Sequence, residues 1–100
     1  ECYFFMADVS GHGVPAAMVT AMIKISLSKI PVRQSSPAQI LQMLNEEMVP
    51  ILDDHYFTAI VCKIDFQRRV IQYANAGGTP GLLLKSMRNQ VKILKPTGSI

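Results

Sequence analysis

The sequence predicts an α+β fold with an antiparallel sheet, and three observations carry that prediction. Apolar residues recur at helical spacing from Val14 to about Lys29 and again from Pro37 to Leu52. After Asp53-Asp54-His55 the period changes, and Tyr56–Phe66 is rich in β-branched and aromatic residues. The predicted order is strand, helix, helix, then consecutive strands, and such grouping argues for α+β rather than for alternating parallel units.

Each element has its own signal. Cys2–Ala7 is apolar and aromatic, stops at Asp8, and reads as a buried strand. Val9-Ser10-Gly11-His12-Gly13 is a glycine-rich turn, and Pro15 suits the first turn of a helix. Ala17, Met18, Ala21, Met22 and Ile25 are expected to form the apolar face of that helix, which Pro31 ends. Gln34-Ser35 is a polar link. Ser36-Pro37-Ala38-Gln39 then starts the second helix: Ser36 caps, Pro37 takes the first helical position, and Gln39 can close a capping box. Its expected face is Ile40, Leu41, Leu44, Met48 and Ile51, and Pro50 is expected to cut the last turn short. Tyr56–Phe66 and Val70–Ala74 flank the polar Gln67-Arg68-Arg69 and read as a hairpin. Gly77-Gly78-Thr79-Pro80-Gly81 is a tight connection, and Leu82–Leu84 and Val91–Leu94 are two further strands joined across Ser86–Asn89.

Composition narrows the function classes. The chain has 100 residues, 49% of them hydrophobic, enough for one domain with a core. Lys24, Lys29 and Lys63 interrupt the apolar stretches, so no segment spans a bilayer and no membrane contact is expected. The first residues lack the basic start and cleavage site of a signal peptide. The two cysteines, Cys2 and Cys62, sit in apolar runs outside any CxxC pair and read as buried free thiols, which suits a reducing cytoplasm. The net charge of +3 comes from scattered basic residues without interleaved aromatics, so nucleic acid is not expected as a partner. An acidic partner surface remains open, since the C-terminal half is the more basic.

The stretch Ala7-Asp8-Val9-Ser10-Gly11-His12-Gly13-Val14-Pro15-Ala16-Ala17 carries the chemistry. A carboxylate at the end of an apolar strand needs a partner, and no Lys or Arg is near Asp8 in sequence. The glycines let the backbone turn sharply and expose its carbonyls. Asp8 plus a neighbouring carbonyl is oxygen ligation suited to Mg²⁺ or Mn²⁺. Other readings compete. Gly11–Ala16 matches the dinucleotide pattern GxGxxG/A, but no acidic residue follows between Asp8 and Glu46 and the next element is a helix. A phosphate-binding Walker loop fails because no Gly-Lys-Ser/Thr follows. A purely structural turn, with Asp8 accepting backbone N–H bonds, stays open.

The stretch resembles the Asp-Val-Ser-Gly-His-Gly motif of PPM-type, protein phosphatase 2C-like enzymes of the stage II sporulation protein E family. The resemblance extends in order along nearly the whole chain. It covers Pro15–Met18, Ser36–Leu41 with Leu44-Asn45, Phe57-Thr58-Ala59, Tyr73–Gly77 and Leu94–Gly98. It implies an antiparallel β-sandwich flanked by helices, with a two-metal centre at one end. Asp8 would bridge two Mn²⁺ or Mg²⁺ ions and the Val9 carbonyl would be a further ligand. It also implies hydrolysis of phosphoserine or phosphothreonine, by in-line attack of a metal-bound water, on a signalling protein such as an anti-anti-sigma factor. A fused or partner sensor or receiver domain would be expected in the full-length protein.

The chain departs from the family at two places. The family's Asn-Ala-Gly-His turn reads Asn75-Ala76-Gly77-Gly78. Its Gly-Asp stretch before the motif and its Thr-Asp-Gly stretch after it are both missing, so residues 1–100 read as a truncated central portion of the domain, inactive alone. Apolar sheet surface that the missing strands would cover is expected to be exposed. The rival is a phosphatase-fold adaptor that binds a signalling partner without catalysis. His12 could orient water, donate a proton, or merely order the loop. Asp53-Asp54-His55 reads as a solvated loop, with Asp53, Asp54 and Asp65 away from the metal end. Asn75 reads as a turn-stabilising residue.

Overall fold

The opening apolar run forms β1 (Cys2–Val9), and the chain then enters α1 (Gly13–Lys29). A short 3₁₀ turn at Val32–Gln34 leads to α2 (Pro37–Leu52). Four strands follow: β2 (Phe57–Asp65), β3 (Val70–Ala76), β4 (Gly81–Lys85) and β5 (Gln90–Leu94). The structure, a computed structural model, describes residues 1–52, 54–78, 81–85 and 90–94. Asp53, the 79–80 connection, Ser86–Asn89 and the Lys95–Gly98 part of the resemblance lie outside the described residues.

β1, β2 and β3 form an antiparallel sheet in that order, with Asp8 opposite Thr58 and Ile60 opposite Asn75. β4 and β5 pair in a separate two-stranded antiparallel sheet. The predicted hairpin of β2 and β3 is present. Asp65 Oδ1 accepts the N–H groups of Gln67 and Arg68, each at 3.1 Å, and Arg69 turns left-handed at φ 56° to close it.

The capping box forms as the sequence predicts. Ser36 N–H donates to Gln39 Oε1 at 2.8 Å, and Gln39 N–H donates to Ser36 Oγ at 3.2 Å. Pro50 does not shorten α2, which continues to Leu52. Only one helical hydrogen bond is lost to it, and burial of Met48 and Leu52 on the adjacent turns holds the segment helical. Leu52 is buried where Ile51 was expected, and Ile51 is exposed.

Alternation along the strands sorts the sheet into two faces. Tyr3, Phe5 and Val9 of β1, Phe57, Ala59 and Val61 of β2, and Ala74 and Ala76 of β3 belong to the core. They pack with Ile40, Leu41, Leu44, Met48 and Leu52 of α2 and with Val19 and Ile23 of α1. Full burial of side chains such as Leu44 and Phe57 stabilises by roughly 1.5–3 kcal/mol each.

Three expectations are corrected here. The buried stripe of α1 is Ala16, Val19, Ile23 and Ser26, whereas Met18 and Ile25 are more than half exposed. The helix is apolar nearly all round, so periodicity could not choose its inner side. β1 is an edge strand open on one face: Phe4 and Met6 are 58% and 71% exposed. An apolar run records that a strand can be covered, not which layer covers it. The open face also carries the free thiols Cys2 and Cys62, which are half-buried rather than buried, and burial raises the Cys62 thiol above its ordinary range. No described helix is long and apolar enough to cross a membrane.

Candidate functional site

Asp8 is the last residue of β1 but one, and its parity puts it on the open face of the sheet, away from the helices. The residue is exposed. None of the ion pairs among the described residues involves it, and no described N–H donates to its carboxylate. A structural turn built on backbone bonds to Asp8 is therefore not what the described residues form.

The next residue presents its main chain. Ser10 N–H donates to Tyr56 O at 2.8 Å, which makes Ser10 and Tyr56 a hydrogen-bonded antiparallel pair. Such pairs alternate with non-bonded ones, so the N–H and C=O of Val9 turn away from β2 toward the free edge of β1. Carboxylate and carbonyl thus stand on consecutive residues at one open corner of the sheet.

Ser10 ends the ladder in an unusual way. Tyr56 N–H donates to the Ser10 side-chain Oγ at 2.9 Å, the role a main-chain carbonyl would fill in a continuing strand. The freed Ser10 carbonyl lies 3.4 Å from Nδ1 of His55. Gly11 and Gly13 then take φ of 81° and 79°, values that favour glycine, and the chain swings into α1. His12 is the N-cap of α1 with extended backbone; its side chain makes no capping bond and the residue is exposed.

The second motif meets the first at the same end of the sheet. Gly77 lies beside Thr58, the partner of Asp8, with Thr58 Cγ2 3.4 Å from where a Cβ would stand. Asn75 is 2% exposed although it faces the open side, because the following turn closes over it. Gly78 N–H donates to Asn75 Oδ1 at 2.7 Å, and Asn75 Nδ2 donates to Tyr73 Oη at 3.0 Å and to Gly78 O at 3.4 Å. Asn75 is a turn-stabilising residue, as its sequence context predicts. A Cβ on Gly78 would stand 2.9 Å from Asn75 Oδ1, so the glycine that replaces the family's histidine is required by this packing.

The turn between α2 and β2 is a correction. Asp54 and His55 read as a solvated loop away from the metal end, yet this turn abuts the Ser10–Gly11 turn. His55 is half-buried there, its imidazole 3.6 Å from the position of a Gly11 Cβ. The contact joins residues 45 apart, and only the β1–β2 register brings them together. Asp65 lies at the opposite end of the sheet, opposite Val70.

The Asp8 carboxylate and the Val9 carbonyl fit part of a hard-cation site, since both offer oxygen and neither is engaged by described residues. Among the described residues no three of His, Cys, Asp or Glu gather closely enough to hold a metal ion, so two residues are the whole of this chain's visible contribution.

Comparison with known proteins agrees in family. The chain is 30% identical over 96 residues to the phosphoserine phosphatase RsbU of Bacillus subtilis (strain 168), covering 95% of this chain and 29% of that protein. It is 31% identical over 80 residues to the phosphoserine phosphatase RsbP of the same organism, covering 75% of this chain and 20% of that protein. The chain therefore spans less than a third of these relatives. Its fold matches the crystal structure of the RsbU and RsbW domains of Rv1364c from Mycobacterium tuberculosis with a TM-score of 0.70 at 25% identity, over 97% of this chain and 28% of that one. The family model for Stage II sporulation protein E (SpoIIE) matches residues 1–100. With every residue inside that match, the chain belongs to the SpoIIE family.

Proposed function

We propose that this chain is the central part of a metal-dependent protein serine/threonine phosphatase that acts on a phosphorylated signalling protein. One observation carries the reading. The Asp8 carboxylate and the outward Val9 carbonyl stand together at an open corner, unengaged by described residues, in a chain whose relatives are phosphoserine phosphatases. Asp8 would bridge two Mn²⁺ or Mg²⁺ ions and Val9 would add a neutral oxygen, with further carboxylates from outside the described residues. Such ions supply Lewis-acid charge on a phosphoryl group and an acidified water.

This chain's own residues do the positioning. Gly11 and Gly13 keep side chains out of the approach to the corner. His12 is exposed and makes no described hydrogen bond, so it is available to give a proton to the leaving serine or threonine oxygen. The substrate would be an anti-anti-sigma-like protein in the cytoplasm, with a sensor or receiver domain governing access.

The test is Asp8→Asn in the full-length protein, with release of phosphate from a phosphoserine protein measured at saturating Mn²⁺. Loss of a bridging carboxylate should remove several kcal/mol of transition-state stabilisation, or roughly a thousandfold in rate. Circular dichroism should be unchanged, because the side chain makes no described contact that the fold needs. Near-normal turnover would refute the assignment.

A further inference from the structure

We infer that His55 is a positioning residue for the cation corner, holding the Val9–Ser10–Gly11 backbone in the orientation that presents the Val9 carbonyl; this rests on the metal-dependent reading of Asp8 and Val9. Ser10 is held from three sides by two consecutive residues of the α2–β2 turn. Its N–H donates to Tyr56 O, its Oγ accepts from Tyr56 N–H, and its carbonyl faces His55 Nδ1. The first two bonds hold the Ser10 amide and side chain. Neither restrains the peptide plane beyond Ser10, where Gly11 at φ 81° offers little resistance to rotation. The His55 ring does, by donating Nδ1–H to that carbonyl at 3.4 Å while lying flat against Gly11. The ring is in turn placed by its own backbone, because His55 N–H donates to Leu52 O at 2.8 Å and ties the turn to the end of α2.

The geometry decides which atoms matter. A group that orients a ligand from behind typically alters metal affinity ten- to a hundredfold. Asparagine places an amide N–H close to where Nδ1 stands, glutamine places it one bond farther out, and alanine has none. In the full-length protein, His55→Ala should weaken Mn²⁺ binding, read from the electron paramagnetic resonance signal of the free ion, by roughly tenfold. His55→Asn should return it to within about threefold, while His55→Gln, which keeps the bulk but moves the donor, should remain weakened. In the metal-free protein, amide exchange at Gly11 and His12 should quicken in the alanine and glutamine variants and not in the asparagine variant. Asp8→Asn serves as the control.

If His55→Ala binds Mn²⁺ as tightly as the parent while Asp8→Asn does not bind it, the inference is wrong and the metal reading stands. If asparagine is as impaired as alanine and glutamine, the ring only fills space and the inference is overturned. Retained Mn²⁺ binding in Asp8→Asn would sink the metal reading, and the inference with it. Should alanine at 55 fail to fold, the contrast between asparagine and glutamine decides.

Discussion

Replacing Gly78 by alanine probes the clasp that closes the second motif. The added methyl would stand 2.9 Å from Asn75 Oδ1 and 3.1 and 3.2 Å from Cγ1 and Cδ1 of Ile60. Ile60 is half-buried at the tip of a flexible side chain and can give way at little cost. Asn75 cannot, because it is buried and its Oδ1 is the acceptor of the 2.7 Å bond from Gly78 itself. Any shift that relieves the clash stretches that bond and strains those to Tyr73 Oη and Gly78 O. Leaving a buried polar group poorly paired costs about 1–3 kcal/mol, and overpacking costs a similar amount. About 2 kcal/mol is the expected loss, which for a domain of this size lowers Tm by roughly 8–16 °C. Urea denaturation measures it directly. The same substitution in an Asn75→Ala background should cost less than half as much, since the clashing atom is then gone. A cost under about 0.5 kcal/mol for Gly78→Ala alone, or an equal cost in both backgrounds, would refute the reasoning.

Other substitutions test the packing. Ile23→Ala on the buried side of α1 should destabilise by about 2–4 kcal/mol in urea titrations, whereas Ile25→Ala on the exposed side should cost well under 1 kcal/mol; equal costs would show that the helix faces are wrongly assigned. Ser36→Ala removes the cap that Gln39 N–H uses and should cost about 1 kcal/mol, read as a lower thermal midpoint with α2 otherwise intact.

Much of the local structure was legible in the residues themselves. Ser36-Pro37 with Gln39 placed the start of α2, because a capping box satisfies its own orphan donors within four residues. The turn after Asp65 placed the β2–β3 hairpin for the same reason. The Asp8–Gly13 motif announced a metal-ligand corner, and its order with Asn75–Gly77 announced the family.

Tertiary structure decided the rest. An apolar helix such as α1 has no preferred side until a sheet selects Val19 and Ile23 and leaves Met18 and Ile25 in the open. The strand β1 reads as buried by composition, yet coverage depends on which layer lies over Phe4 and Met6, and no local signal encodes that. The meeting of His55 with Ser10 needs the whole β1–β2 register to bring together residues 45 apart. Caps and turns are satisfied by near neighbours, so they can be read in sequence order. Faces and cross-chain contacts are settled only when distant apolar surfaces leave water together, which is a property of the assembled sheet and helices rather than of any segment.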